Sequence, residues 1–170
     1  GIAVTLVFID STQGWLVTDS GLQDEAPTAQ YICASSPCVA TVGNFKIHTF
    51  TGPGTFTVNS VGNAAGSNTV DYLVAAGGGG GGGGCDASNW GGGGGGAGGY
   101  RFSNGTASGC YSAGPSPLGA SALPVSAQGY SIVVGGGGTG RTADGPQTRA
   151  PSGSTSTFST ISSTGGGGGG

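Results

Sequence analysis

Few residues in this chain could do covalent chemistry. His48 is the only histidine and Lys46 the only lysine, and seven acids and four cysteines complete the reactive set. A general acid–base site needs two titratable groups held across a substrate, and a polysaccharide-cleaving site needs paired carboxylates. Asp10, Asp86 and Asp144 fall in turn-like sequence, where Asp is favoured by hydrogen bonds to its own backbone. Asp71 adjoins Tyr72 in an apolar run and reads as an edge carboxylate. His48 alternates with Phe45 and Ile47, which reads as a surface histidine on a strand. These readings predict no enzyme and no catalytic residue. The cysteines, at 33, 38, 85 and 110, lack the close spacing of a zinc site, so no metal and no cofactor are expected. The expected pairing is Cys33–Cys38 and Cys85–Cys110, one of three that four cysteines allow.

Recognition chemistry is better represented. Trp90, Tyr100, Arg101, Phe102 and Tyr111 fall between glycine tracts. Such side chains suit stacking on sugar rings or insertion into a partner's pockets. The alternative is that they wedge the glycine tracts against the strands. Asn104-Gly-Thr106 is a glycosylation sequon, relevant where the source glycosylates asparagine.

The elements that must position these residues are unusual. Glycine supplies 42 of 170 residues and charged residues only 6%, with a net charge of −3. There is no Gly-X-Y period, which excludes collagen. Four basic residues exclude nucleic acid as a partner. No apolar run is long enough to insert in a membrane as a helix. Strand-like runs dominate, and no window carries helical periodicity. The expected fold is all-β with essentially no helix. A short N-terminal β-hairpin precedes a small antiparallel β-sandwich, and polyglycine II tracts leave its sheet. Residues 1–18 form the hairpin, the end of a preceding module or a donor strand. Residues 19–30 are a linker, and 31–170 a glycine-rich β domain.

Within the hairpin, Ile2–Ile9 reads as a strand buried on both faces and Trp15–Thr18 as its return. Tyr31–Cys33, Val39–Val42, Asn44–Phe50 and Thr55–Val58 follow as short strands. Three strand-like segments run into glycine: Tyr72–Ala76 into Gly77–Gly84, Tyr130–Val134 into Gly135–Gly138, and Phe158–Thr164 into Gly165–Gly170. If they share a sheet and a direction, the tracts leave it at one end. Pure glycine directly after apolar strand residues argues for packed backbone over a flexible linker. Polyglycine II helices have three residues per turn, pack closely without Cβ atoms, and pair N–H with C=O between chains. One tract alone could not offset about 1–2 kcal/mol of backbone entropy per residue, whereas a bundle could.

The chain lacks methionine and begins inside an apolar run, so it is expected to be part of a longer or processed protein. Asn44–Val58, with Phe50-Thr-Gly-Pro-Gly54, followed by Val70-Asp-Tyr-Leu-Val74 and polyglycine, resembles the glycine-rich domain of bacteriophage tail fibres and related virion proteins. Gly1–Thr18 resembles the closing hairpin of phage fibre modules. The resemblance implies a non-enzymatic virion protein at a tail-fibre tip, extracellular in setting. It would be trimeric or otherwise multimeric and would contact a host-surface glycan or protein. A self-assembling extracellular filament subunit, joined by strand addition through Ile2–Ile9, is the alternative. A polyglycine II protein that binds ice or another surface is the third.

Overall fold

The computed structural model describes residues 4–10, 14–20, 29–64, 66–84, 91–103, 119–142 and 148–170. In the first hairpin it describes only the side chains of Val7 and Phe8. The described residues form strands and extended segments, with no helix among them.

Strands β1 (Val4–Asp10) and β2 (Gly14–Ser20) pair antiparallel, as the expected hairpin requires. Val7 and Phe8 are 46% and 52% exposed, so this strand is not buried on both faces. Its apolar run resembles a core strand in composition, but two adjacent side chains, on opposite faces, both reach solvent.

The main sheet has five antiparallel strands. β3 (Cys33–Ser35) and β6 (Gly54–Ser60) lie beside β12 (Gly129–Val133), β13 (Ser156–Phe158) and β14 (Ile161–Ser163), in the order β14-β13-β12-β6-β3. Alternation sets the inner face. Phe56 and Val58 of β6, Tyr130 and Ile132 of β12, and Phe158 of β13 point inward and are buried. They pack against Val74 of β8 (Leu73–Ala75) and against Val125, so the core lies between two layers. β8 belongs to a second sheet, with β9 (Tyr100–Ser103) antiparallel to it and β10 (Gly119–Ala120) parallel to β9. Two further pairs complete the strands: β7 (Thr69–Val70) with β11 (Leu123–Pro124), and β4 (Val39–Val42) with β5 (Phe45–His48). At the start of this region Gln30 is tied into the loop before β7: Gln30 N–H donates to Asn63 Oδ1, and Asn63 N–H donates to Gln30 C=O, both at 3.0 Å.

Three local expectations change. The segment Tyr72–Ala76 is a strand only over Leu73–Ala75, and Val70 just before it belongs to β7 in a different sheet. The break has a cause at Asp71-Tyr72: Ser103 Oγ donates to Asp71 Oδ1 at 2.7 Å and accepts Tyr72 N–H at 3.0 Å, removing that amide from a ladder. Phe158–Thr164 is a hairpin, β13 and β14, turning at Ser159, whose φ of 54° lies in the left-handed region. Tyr31 precedes its strand and is exposed.

Candidate functional site

The glycine tracts form the frame on which any site must be mounted. Five extended stretches lie side by side, here numbered I (76–84), II (91–99), III (135–142), IV (149–155) and V (164–170). Their hydrogen bonds recur every third residue, the period of a polyglycine II helix. Ala76, Gly79 and Gly82 of I donate N–H to Gly99, Gly96 and Gly93 of II, at 2.7–2.9 Å. Gly77 and Gly80 donate to Ser154 and Pro151 of IV. Segment I in turn accepts from Gly138 and Arg141 of III and from Gly166 and Gly169 of V. Gly93, Gly96 and Gly99 of II donate to Gly170, Gly167 and Thr164 of V, each at 2.7 Å. Segment I is therefore the central chain, with II, V, IV and III around it in that order.

The bundle continues the sheets without a change of register. The β8–β9 ladder ends with Ala75 opposite Tyr100, and the next bond joins Ala76 to Gly99. The β12–β13 ladder, with Val133 opposite Thr157, continues as Ser154 N–H to Gly136 C=O. The β13–β14 hairpin, with Ser156 opposite Ser163, continues as Gly153 N–H to Gly166 C=O. Thus III and V run parallel to I, and II and IV run back against it. The three glycine exits do share a direction, although their strands lie in two sheets. Ser163 links those sheets, its buried Oγ donating to Val74 C=O at 2.8 Å.

Close approach explains the glycine. A Cβ on Gly77, Gly79, Gly80 or Gly82 would stand 2.0–2.2 Å from a carbonyl oxygen of III or V. On Gly92, Gly95 and Gly98 it would stand 2.0–2.2 Å from carbonyls of I. The Cα–H bonds point at those oxygens, which adds weak C–H···O contacts to the ladder. One open row carries a side chain. Ala97 continues the row of Gly91 and Gly94, around which a Cβ would meet nothing within 4 Å.

Of the expected binding residues, the structure brings together Tyr100, Arg101 and Phe102, all on β9. Tyr100 and Phe102 share a face, with ring centroids 5.4 Å apart, and Arg101 points to the other side. Leu73 stands opposite Phe102 across the ladder and is 63% exposed, while Tyr100 is 43% exposed. The second sheet thus presents an apolar outer face of Leu73, Tyr100 and Phe102 beside the base of segments I and II. Sequence reading missed Leu73. The signal was present, since strict alternation about the buried Val74 forces its neighbours outward. Trp90, Tyr111, Asn104 and the Cys85–Cys110 pair lie outside the described residues. Cys33 and Cys38 are both exposed free thiols, so the expected bridge between them is not formed.

His48 also departs from expectation. Phe45 and Ile47 are the exposed pair on β5, and His48 turns to the core side. Its ring meets Phe56 edge-on at 5.1 Å, and its Nδ1 lies 2.8 Å from Ser36 Oγ. Ser36 Oγ also donates to Cys38 C=O at 3.0 Å, which pins the Cys33–Cys38 loop onto β5. Burial, and then the Lys46 charge, lower the His48 pKa below its usual 6.5. The folded chain therefore disfavours a proton that the unfolded chain accepts. Stability is full above pH 6.5 and falls as the pH drops below it, levelling once folded His48 also protonates. His48→Phe should flatten the melting temperature against pH in that window. A profile unchanged by the substitution would contradict the assignment.

Among the described residues there is no group of three or more His, Cys, Asp or Glu placed to hold a metal ion. Comparison with curated proteins and with solved structures returned no match. A family model described as a glycine-rich domain does match, over residues 50–170. Those residues contain the core strands β6, β12 and β13 and all five extended segments, and the chain belongs to this glycine-rich domain family.

Proposed function

We propose that the chain is a non-enzymatic structural and adhesive component of a virion, a segment at the tip of a bacteriophage tail fibre that contacts the host cell surface. The reading rests on one observation above others. The β ladders run in register into the glycine bundle, giving a stiff, nearly uncharged mount with recognition residues at its base. A rigid mount lowers the entropy lost when a displayed surface binds. The outer face of Leu73, Tyr100 and Phe102 supplies flat apolar area suited to a glycan ring or a protein pocket. Arg101, on the opposite face of β9, supplies a planar hydrogen-bond donor. The partners of this reading are a host-surface glycan or protein and further copies of the chain, and its location is the extracellular virion. The resemblance of Asn44–Gly84 to tail-fibre sequences supports the same assignment.

The test is binding of the purified chain to envelopes from a panel of bacteria. Tyr100→Ala/Phe102→Ala should weaken binding to the recognised envelope by about tenfold or more, the usual scale for aromatic anchors. Its folding should be unchanged. Equal binding by the double variant would sink the role of this face.

One observation favours the filament reading as a second. Val7 and Phe8 of β1 are exposed, as a strand that completes a neighbour's sheet would be. Deleting residues 1–18 separates the two. Loss of all polymerisation, with monomers intact, supports the filament.

A further inference from the structure

The central chain of the bundle has one unfilled side. A three-residue turn projects N–H groups in three directions. Segment I uses one row toward II and one toward IV. The third row, Gly78 and Gly81, donates to no described residue, although both glycines are partly buried. A sheltered amide without an acceptor is costly, so this row favours an acceptor brought to it.

The glycine at these positions is a separate observation. A Cβ on Gly78 or Gly81 would have its nearest neighbours at 3.6 Å and 3.9 Å, ordinary contact. On the flanking segment III, Gly137 and Gly140 have the same room, with Gly78 and Gly81 oxygens at 3.5 Å and 3.9 Å. Alanine would fit at all four and would lose less entropy on folding. Glycine that no described neighbour requires is what a further closely approaching backbone would require.

We propose that the gap beside segment I, between II and III, receives segment II of a second copy of this chain, whose carbonyls accept the Gly78 and Gly81 N–H groups. The chain carries the complementary edge itself. Residues 91–97 are exposed, Gly91 and Gly94 have nothing within 4 Å of a Cβ, and no described residue hydrogen-bonds their N–H or C=O groups. Neither segment I nor II contains a charged residue, so two copies approach without repulsion. The contact is self-complementary, as a twofold dimer requires. It repeats the backbone chemistry that joins I to II within one chain. The inference specifies a contact for the further copies named among the proposed partners and does not rest on the host-contact reading.

Sedimentation of the full chain over a wide concentration range tests it. The unmodified chain should dimerise. Gly78→Ala/Gly81→Ala should weaken dimerisation about tenfold or more while leaving the circular dichroism spectrum intact. Gly137→Ala/Gly140→Ala should do the same from the other flank, and Gly52→Ala, outside the bundle, should change nothing. A chain that is monomeric at every concentration, or a dimer that survives both double variants, overturns the proposal. So does slow exchange of the Gly78 and Gly81 amides in a monomer, which would give the row to the chain's own residues.

Discussion

Gly79→Ala should strip the bundle of its central chain, whereas Gly94→Ala should leave it folded. The two substitutions add the same methyl group to the same kind of backbone. At Gly79 the Cβ would lie 2.0 Å from Gly167 C=O, and that carbonyl is already engaged by Gly96 N–H. Neither atom is the end of a flexible side chain, so segments I and V must separate. Overpacking of this kind costs about 1–3 kcal/mol. Loss of the Gly79 N–H bond to Gly96 C=O adds about 0.5–1.5 kcal/mol. A total near 3 kcal/mol would lower the melting temperature of a chain this size by roughly 10 °C. At Gly94 the Cβ meets nothing within 4 Å, and Ala97 already occupies the same row. Equal melting temperatures for the two variants would refute the packed arrangement.

Phe158→Ala should cost about 3–5 kcal/mol, the range for emptying a buried aromatic site. Its ring lies edge-on to Phe56 at 5.9 Å and to Tyr130 at 6.2 Å, within the sheet's inner face. It also meets Tyr72, just before β8, at 6.4 Å. The residue therefore touches both layers of the core. It sits in the hairpin whose two ends continue as segments IV and V, so its loss should loosen the bundle as well as the sheet. Denaturant unfolding, together with amide exchange at Gly153 and Gly166, would measure both effects. A loss below about 1 kcal/mol would show that the two layers do not share this contact.

Much of this arrangement is legible in the residues, and the rest fails for identifiable reasons. Alternation in Thr55–Val58 and Tyr130–Val134 marks the inner face of the main sheet correctly, because one side of each strand must be apolar. The repetition of the three glycine exits gives a common direction only on condition of a shared sheet, and the structure supplies the direction from two sheets instead. Alternation does not say which face of β5 is covered, and there the aromatic Phe45 is exposed while His48 meets Phe56. Segment IV is invisible to composition, since Arg149-Ala-Pro-Ser-Gly-Ser-Thr155 reads as a loop. Only Gly153 in it must lack a side chain, with Gly77 C=O 2.0 Å from its Cβ position. A polyglycine II bundle needs glycine on inward rows alone, so an outer segment carries side chains and loses its compositional signature. The apolar face of Leu73, Tyr100 and Phe102 was half visible, because aromatic residues attract notice and an exposed leucine does not.

The most direct measurement is residue-resolved amide hydrogen exchange across residues 76–84. Hydrogen-bonded packing predicts slow exchange at Ala76, Gly77, Gly79, Gly80 and Gly82, whose N–H groups bond to segments II and IV. The amides of Gly78 and Gly81 should be fast in the monomer, giving protection with a three-residue period. Uniformly fast exchange through the tract, as in a flexible glycine linker, would contradict the packed bundle.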